Sequence, residues 1–306
     1  MTETVAVVVV TFNRADLLGR MLDGLVAQTH APDAVIIVDN ASTDHTREVL
    51  DAHTSSAGLN LQRIHLDTNT GGSGGFRTGV EAAFEQGHDR IWLIDDDVVP
   101  APDCLAVLMA QDEACVTAVR ENTRGRLVEK AATDFDLSRP WAMRPKRASV
   151  ETAYGDRSSM PERVELHNVA FEGFLVRREV VAAVGLPDDS FFIFYDDVDF
   201  ALRARRAGYR IWAVRDAVLV RQLDFDQQLA LDTWKGYYMY RNLFAVHFRY
   251  GTNVLVRAKP YAIAAAVTVL SPLRGGRGEA SNVLRAVRDA RRMRGVPPRA
   301  RGSIPG

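Results

Sequence analysis

Three adjacent carboxylates are the feature of this sequence with the clearest chemistry. Asp95, Asp96 and Asp97 follow the apolar run 90–94 in the stretch IWLIDDD. Adjacent carboxylates repel one another, so a cationic group is expected beside them. Alternate carboxylates can bind a hard divalent ion, Mg²⁺ or Mn²⁺, which can in turn hold a diphosphate. The alternative is an ordinary acidic turn.

A second acidic cluster lies in the stretch FFIFYDDVDF, where Asp196, Asp197 and Asp199 open a predicted helix. Carboxylates are favoured at a helix N-terminus, so capping is one interpretation. A carboxylate behind bulky aromatic residues is also well placed to be a general base with a raised pKa.

A glycine-rich stretch, NTGGSGGF, covers residues 69–76. Glycine-rich loops let backbone N–H groups approach phosphates, so we predict a phosphate-binding loop that leads into a helix. It matches neither of the common phosphate-loop patterns, and a plain flexible turn is the alternative.

Alternating strand and helix patterns position these groups. Strands are predicted at 5–11, 34–39, 61–66 and 90–94, with helices between them, which indicates a parallel sheet covered by helices. The carboxyl ends of parallel strands share one sheet edge, where ligands bind. This edge would collect the polar residues that follow the first, second and fourth strands: Thr11, Asn13, Arg14, Asp39, Asn40, Asp95, Asp96 and Asp97.

The second half of the chain has a less regular pattern. Residues 120–165 predict a long, partly irregular excursion beside the site, and periodic structure returns at 169–176. A helix at about 198–207, strands near 211–214 and 217–221, and an aromatic helix over 226–249 are predicted after it.

Composition narrows the class of protein. The 306 residues are 47% hydrophobic and 25% charged, with a net charge of −1, which is typical of a soluble globular protein and gives no case for nucleic-acid binding. Two cysteines are too few for a disulfide framework. We expect neither a signal peptide nor a spanning helix.

The C-terminus has a different charge from the rest of the chain. Residues 274–306 contain nine arginines and two acidic residues, a formal charge of +7, after the apolar stretch 260–273. A solvated tail is one interpretation. The other is a membrane-surface anchor with Tyr261, Ile263, Val267, Val269 and Leu270 as its apolar contacts.

The ordered set VVVVTFNR, VDNAS, NTGGSGGF, IDDD, FEGFLVRREVVAAVG and FYDDVDFALRARRAGY resembles the family 2 glycosyltransferases of the GT-A fold. Within them it is similar to the cell-wall galactofuranosyltransferases that initiate galactan. The resemblance implies an α/β fold with a mostly parallel sheet flanked by helices. It also implies a catalytic domain over 1–222, with a nucleotide half to about 100 and an acceptor half over about 101–222, and a helical, partly basic, membrane-proximal extension over 223–306.

The resemblance also implies residue roles. Asp197 would be the catalytic base, and Asp95 and Asp97 would hold Mn²⁺ or Mg²⁺. The donor nucleotide and sugar would contact Thr11, Asn13, Arg14, Asp39, Asn40, Gly71, Gly72, Arg77, Asp95 and Asp96. The acceptor would contact His167, Asp196, Arg241 and Asn242. Arg221 stands where the family usually has a metal-binding His, and Arg cannot ligate a metal.

The implied reaction is inverting transfer of galactofuranose from UDP-galactofuranose to a polyprenyl-diphosphate-linked saccharide in cell-wall or polysaccharide synthesis. Rhamnosyl transfer from dTDP-rhamnose to a similar acceptor, or a catalytically silent nucleotide-sugar-binding protein, are the alternatives. The implied location is cytoplasmic, peripheral on the inner face of the membrane, through the basic C-terminal segment. Assembly as a homo-oligomer is left open.

Overall fold

A computed structural model describes residues 3–56, 58–142, 144–223, 231, 233–271 and 277–295. Its main feature is a nine-stranded sheet in the order β3-β2-β1-β4-β10-β6-β11-β5, with β9 also paired to β11. The strands of this sheet are β1 (Val5–Thr11), β2 (Ala34–Asp39), β3 (Leu61–His65), β4 (Arg90–Asp95), β5 (Val98–Pro100), β6 (Cys115–Asn122), β9 (Arg163–Leu166), β10 (Phe174–Arg177) and β11 (Ile211–Arg221).

Helices cover both faces of the sheet. The helices of the first 222 residues are α1 (Ala15–Val26), α2 (Thr46–Ser56), α3 (Gly71–Glu85), α4 (Cys104–Met109), α5 (Val150–Tyr154), α6 (Arg178–Val184) and α7 (Asp196–Arg206). One hydrophobic cluster lies on each face, and every residue of β1 and β2 is buried. Continuous apolar runs such as VAVVVVT therefore form fully buried parallel strands, as the sequence predicts.

The sheet is parallel from β3 to β4 and mixed beyond it. β10 is antiparallel to both of its neighbours, β4 and β6. β6 and β11 are parallel, whereas β5 and β9 run antiparallel to β11. A bulge between Val214 and Val218 joins the two strands predicted near 211–221 into one. The excursion predicted at 120–165 contains the hairpin β7 (Ala132–Phe135) and β8 (Lys146–Ser149).

The glycines predicted to form a loop instead build the first turns of α3. A Cβ atom on Gly79 would lie 2.3 Å from Val8 Cγ1, and one on Gly75 would lie 2.4 Å from Val10 Cγ1. Gly71 has a φ of +75°, and a Cβ there would lie 2.0 Å from the carbonyl oxygen of Phe192. These glycines therefore let the helix backbone approach β1 and the loop before α7.

In the described part of the C-terminal region, three α-helices follow the sheet: α8 (Trp234–Tyr250), α9 (Val254–Leu270) and α10 (Arg277–Ala290). The predicted aromatic helix thus begins at Trp234, and residues 224–230 lie outside the described part of the chain. The three helices share one hydrophobic cluster with β7 and α7. The predicted division at residue 222 therefore separates residues that share a core. Within the described residues, no helix has the length and apolar character needed to cross a bilayer.

We expect Gly79→Ala to lower the free energy of unfolding by about 1–3 kcal/mol, because the added methyl group overpacks the contact with Val8. Gly72→Ala is the matched control in the same helix, since no atom lies within 4 Å of its Cβ position. The control should be neutral or stabilising by up to about 1 kcal/mol. Urea unfolding measures both. Equal destabilisation of the two variants would contradict the packing explanation.

Candidate active site

The three aspartates after β4 lie at the carboxyl edge of the sheet with polar groups from β1. Thr11 Oγ1 donates a hydrogen bond of 2.8 Å to Asp96 Oδ2. Arg14 Nη1 lies 3.0 Å from Asp96 Oδ1 and 3.2 Å from Asp97 Oδ2. Burial raises the pKa of Asp96 to about 6, against the opposing charge of Arg14. Arg14 thus supplies the cationic group that the sequence predicts beside the three aspartates.

Glu172 completes a group of three carboxylates with Asp95 and Asp97. One ligand oxygen from each lies within 4.8 Å of the others. The antiparallel register pairs Phe174 with Leu93, so continuing it two residues brings Glu172 opposite Asp95. Gly173 has a φ of +107°, which few other residues adopt. The strand pairing and the Gly173 conformation therefore bring the Glu172 carboxylate to the edge of the sheet.

This group fits a divalent cation. Burial, and then the charge of Glu172, raises the pKa of both Asp95 and Asp97 above the ordinary value. Asp97 Oδ1 is buried, and no described group donates a hydrogen bond to it. Three carboxylates with an unsatisfied buried oxygen form a donor set that suits Mg²⁺ or Mn²⁺.

Two arginines balance the charge of Glu172 from its other side. Arg120 Nη1 forms an ion pair with Glu172, and Arg221 Nη2 lies 3.6 Å from Glu172 Oε1. Burial opposes the charge of Glu172, but Arg120 and then Arg221 outweigh it and hold its pKa below the ordinary value. Sequence analysis missed Glu172 and Arg120. The available signal was an acidic residue inside the apolar run VAFEGFLV.

Asp197 lies half-buried in the first turn of α7, where its Oδ1 accepts a 2.7 Å hydrogen bond from the Val198 amide. Burial raises its pKa to about 6. The Val198 amide opposes this shift, the charge of Glu172 adds to it, and Arg120 and Lys146 oppose it. A carboxylate with this pKa can accept a proton near neutral pH.

Asp196, which the sequence predicts as an acceptor contact, is buried beside Asp197. Burial, followed by the charge of Asp197, raises its pKa well above the ordinary value. The amides of Asp196 and Asp197 oppose this shift. Asp196 is the first residue of α7, where a carboxylate is favoured by the helix dipole.

The loop before α7 has an unusual backbone. Phe192, Phe194 and Tyr195 have φ angles of 63°, 65° and 67°, a region that bulky residues rarely occupy. Each such residue costs of the order of 1–3 kcal/mol unless its surroundings hold it in place. The turn that positions Asp197 therefore needs external support.

Asn242 and Arg241 of α8, which the sequence predicts as acceptor contacts, provide that support. Asn242 is fully buried, and its Nδ2 lies 3.0, 2.7 and 2.9 Å from the carbonyl oxygens of Phe191, Ile193 and Phe194. Arg241 Nη2 lies 2.8 Å from the same Phe191 oxygen. Both are positioning residues, because they hold the backbone that leads into Asp197.

Asp199 ties α7 to α8 in the core. It accepts hydrogen bonds of 2.9 Å from Arg203 Nε, 2.8 Å from Arg249 Nη1 and 2.6 Å from the Tyr250 hydroxyl. The Asp199 carboxylate is fully buried, and three donors satisfy its hydrogen-bonding capacity. The last acid of the YDDVD stretch therefore has a structural role, because it links α7 to α8.

Asp39 and Asn13 lie at the predicted nucleotide edge with partners of their own. Asp39 Oδ1 accepts from the Ser42 amide at 2.9 Å, and Oδ2 lies 2.9 Å from His65 Nδ1. Asn13 Oδ1 accepts from the Thr43 amide at 2.7 Å. These bonds fix both side chains against the loop after β2.

Asn40 is buried and joins β2 to the start of α3. Its Nδ2 donates to the carbonyl oxygen of Gly71 at 2.9 Å, and its Oδ1 accepts from the Thr70 amide at 2.8 Å. Gly72, next along the chain, has open space at its Cβ position. Of these residues, Gly72 therefore leaves the most room for a ligand.

Two other predicted contacts have structural partners. Arg77 Nε lies 3.6 Å from Asp189 Oδ2, so its charge faces the loop before α7. His167 Nδ1 accepts from the Phe135 amide at 3.1 Å, which joins β9 to β7. Burial lowers the pKa of His167, so its ring is neutral near pH 7. His167 therefore links β7 to the segment after β9.

The mixed sheet, flanked by helices and with carboxylates collected at one edge, is similar to the GT-A glycosyltransferase fold. The chain belongs to glycosyltransferase family 2, since the family described as glycosyltransferase like family 2 matches residues 3–237. The chain is an enzyme of this class, a glycosyltransferase.

Comparisons with individual proteins agree with the family. The chain is 33% identical to galactofuranosyltransferase GlfT1 of Mycobacterium tuberculosis over 259 residues, which cover 79% of this chain and 81% of that protein. A mannosyltransferase of Pyrobaculum calidifontis, solved with GDP-Man and Mn²⁺, has a TM-score of 0.57 at 19% identity over 94% of this chain and 87% of its own. GalNAc-T7, solved with UDP, GalNAc and Mn²⁺, has a TM-score of 0.66 at 15% identity over 97% of this chain and 59% of its own.

We expect Glu172→Gln to weaken Mn²⁺ binding at least about tenfold, because it removes one charged oxygen from the set. Glu113→Gln is the matched control, since Glu113 pairs with Arg163 at 3.2 Å and lies outside the carboxylate group. Electron paramagnetic resonance of free Mn²⁺ gives both affinities without an activity assay. Wild-type affinity in Glu172→Gln would remove Glu172 from the site.

Proposed function

We propose that this chain is an inverting galactofuranosyltransferase. Its donor would be UDP-galactofuranose, and its acceptor a polyprenyl-diphosphate-linked saccharide in cell-wall or polysaccharide synthesis. The observation that carries the proposal is the 33% identity to a galactofuranosyltransferase over four-fifths of both chains. The carboxylate edge and the raised pKa of Asp197 support it, because they supply the groups that such a transfer needs.

Asp197 would act as the general base. It takes the proton of an acceptor hydroxyl while that oxygen forms a bond to the anomeric carbon of the donor sugar. The bond from that carbon to the diphosphate oxygen breaks, and UDP leaves with the electron pair. Attack from the opposite face inverts the anomeric configuration. A carboxylate with a pKa of about 6 can accept the proton and is still largely ionised at pH 7.

The diphosphate would lie at the carboxylate edge. Asp95, Asp97 and Glu172 would hold Mn²⁺ or Mg²⁺, which neutralises developing charge on the leaving diphosphate. Arg14, held by Asp96 and Asp97 and still 40% exposed, would contact a phosphate oxygen. Thr11 orients Asp96 through its hydroxyl, and the nucleotide would extend toward Asp39.

The acceptor would approach past an aromatic surface beside the base. Phe192 stacks on Tyr238 with ring centroids 5.0 Å apart, and Trp234 lies edge-on to both. Trp234 is exposed, and the Arg241 guanidinium lies 4.6 Å from the Tyr238 ring centroid. Aromatic faces of this kind pack against the apolar face of a sugar, so this surface suits a saccharide acceptor.

A donor panel tests the proposal directly. UDP-galactofuranose should support transfer to a lipid-linked disaccharide, and UDP-galactopyranose and dTDP-rhamnose should give far less product. Mass spectrometry of the lipid product measures each rate. Preference for dTDP-rhamnose would support the rhamnosyltransferase alternative. UDP binding without transfer from any donor would support a catalytically silent nucleotide-sugar-binding protein.

We expect Asp197→Asn to reduce turnover by about 10²–10⁴-fold and to leave UDP affinity within a few-fold, because Asn cannot accept the proton. In the wild type, kcat/KM should fall as pH drops through about 6, since protonation of Asp197 removes the base. Asp112→Asn, at a fully exposed carboxylate, is the control. Unchanged turnover in Asp197→Asn would refute the base assignment.

A further inference from the structure

Helix α9 presents an apolar face to solvent. Val254 is 78% exposed, Leu255 63% and Val269 68%, and Tyr261 and Leu270 are also exposed. These five residues are the α9 face, and exposed alanines fill the positions between them. At about 100° per residue, the face covers roughly half of the helix circumference. From residue 260 to residue 270 the helix carries no charge.

The opposite side of α9 packs against the rest of the protein through a narrow stripe of buried residues. Val256, Pro260 and Ala264 are buried at four-residue spacing. Ile263 and Val267 pack against the same cluster. These two were expected as membrane contacts from the sequence, but the structure turns them toward the core. The exposed apolar residues are thus a second, separate face of the helix.

An exposed tryptophan flanks one side of the α9 face. Trp141 is 82% exposed in the loop after β7. Lys259 of α9 fixes this loop, because its Nζ donates to the carbonyl oxygens of Arg139 at 2.6 Å and Ala142 at 2.9 Å. Asn253 Nδ2 adds a bond of 2.6 Å to the Ser138 oxygen. Tryptophan side chains are enriched at membrane–water interfaces.

Arginine side chains flank the other side of the α9 face. The Arg291 guanidinium lies 5.9 Å from the Tyr261 ring centroid, and Arg294 Nη2 lies 3.4 Å from the Tyr261 hydroxyl. An open cavity of about 370 Å³ lies between these groups and the N-terminal end of α9. Its lining combines apolar groups with two guanidinium groups: Phe248, Val254, Arg257, Ala258, Tyr261 and Arg294.

We propose that the α9 face docks on an anionic lipid bilayer, with Trp141 at one side and the Arg257–Arg294 cavity receiving a lipid phosphate at the other. An apolar strip with a basic border matches the two signals that stable peripheral binding needs, apolar burial and attraction to anionic headgroups. A second copy of this chain would place like-charged arginine borders in one interface. The inference deepens the proposed function, on which it rests only for the lipid-linked nature of the acceptor.

Vesicle sedimentation tests the docking with the full chain. The wild type should bind vesicles that contain phosphatidylglycerol, bind phosphatidylcholine vesicles far more weakly, and lose affinity as salt rises. Leu255→Glu/Val269→Glu should reduce binding at least about tenfold, because two exposed apolar groups become charged. Val26→Glu is the matched control, because Val26 is an exposed apolar residue at the end of α1.

Arg291→Gln/Arg294→Gln should weaken binding and flatten its salt dependence, which tests the basic border separately. Three outcomes would overturn the proposal. They are no wild-type binding at low salt, equal binding by the Leu255→Glu/Val269→Glu and Val26→Glu variants, or a wild-type dimer that Leu255→Glu/Val269→Glu dissociates in sedimentation velocity. Vesicle binding uses neither donor nor acceptor, so failure of the donor panel would leave this result unchanged.

Discussion

The repulsion among four carboxylates at one sheet edge is the constraint on which the site depends. Asp95, Asp96, Asp97 and Glu172 lie together, and burial raises the pKa of each aspartate. Arg14 opposes this charge from the solvent side, whereas Arg120 and Arg221 oppose it from within the sheet. The sheet can hold this much negative charge only because cations approach it from both directions. A bound divalent ion would add positive charge at this edge, and a diphosphate would in turn balance that charge.

The C-terminal helices contact the proposed catalytic site by holding the loop before α7. Phe192, Phe194 and Tyr195 in this loop have strained backbone angles, and α8 supplies the groups that keep the loop in place. Asp199 fastens the same helix to α7 through Arg249 and Tyr250. The proposed base is therefore positioned by residues some fifty positions later in the chain, so the proposed site depends on α8.

Periodicity predicted β1, β2 and β4 because each is a mostly apolar run that is buried on both faces. It also predicted the acidic groups, since they follow those runs directly. Glu172 was missed because its position depends on an antiparallel register between β10 and β4, which no local pattern encodes. The contacts of Asn242 were missed for a related reason: its partners are carbonyl oxygens of a loop some fifty residues earlier in the chain. The glycines of α3 resembled a loop, but their role is close helix–strand contact.

The Glu172–Arg221 pair has a consequence for how this site can change over time. With Arg120 already committed to Glu129 at 2.7 Å, Arg221 is a second counter-charge for Glu172. Replacing Arg221 with a neutral residue while Glu172 stays would leave a buried anion less compensated, and the reverse order would strand a buried cation. The two positions are therefore epistatic, and lineages that exchange one residue should pass through intermediates in which the other changes at nearly the same step.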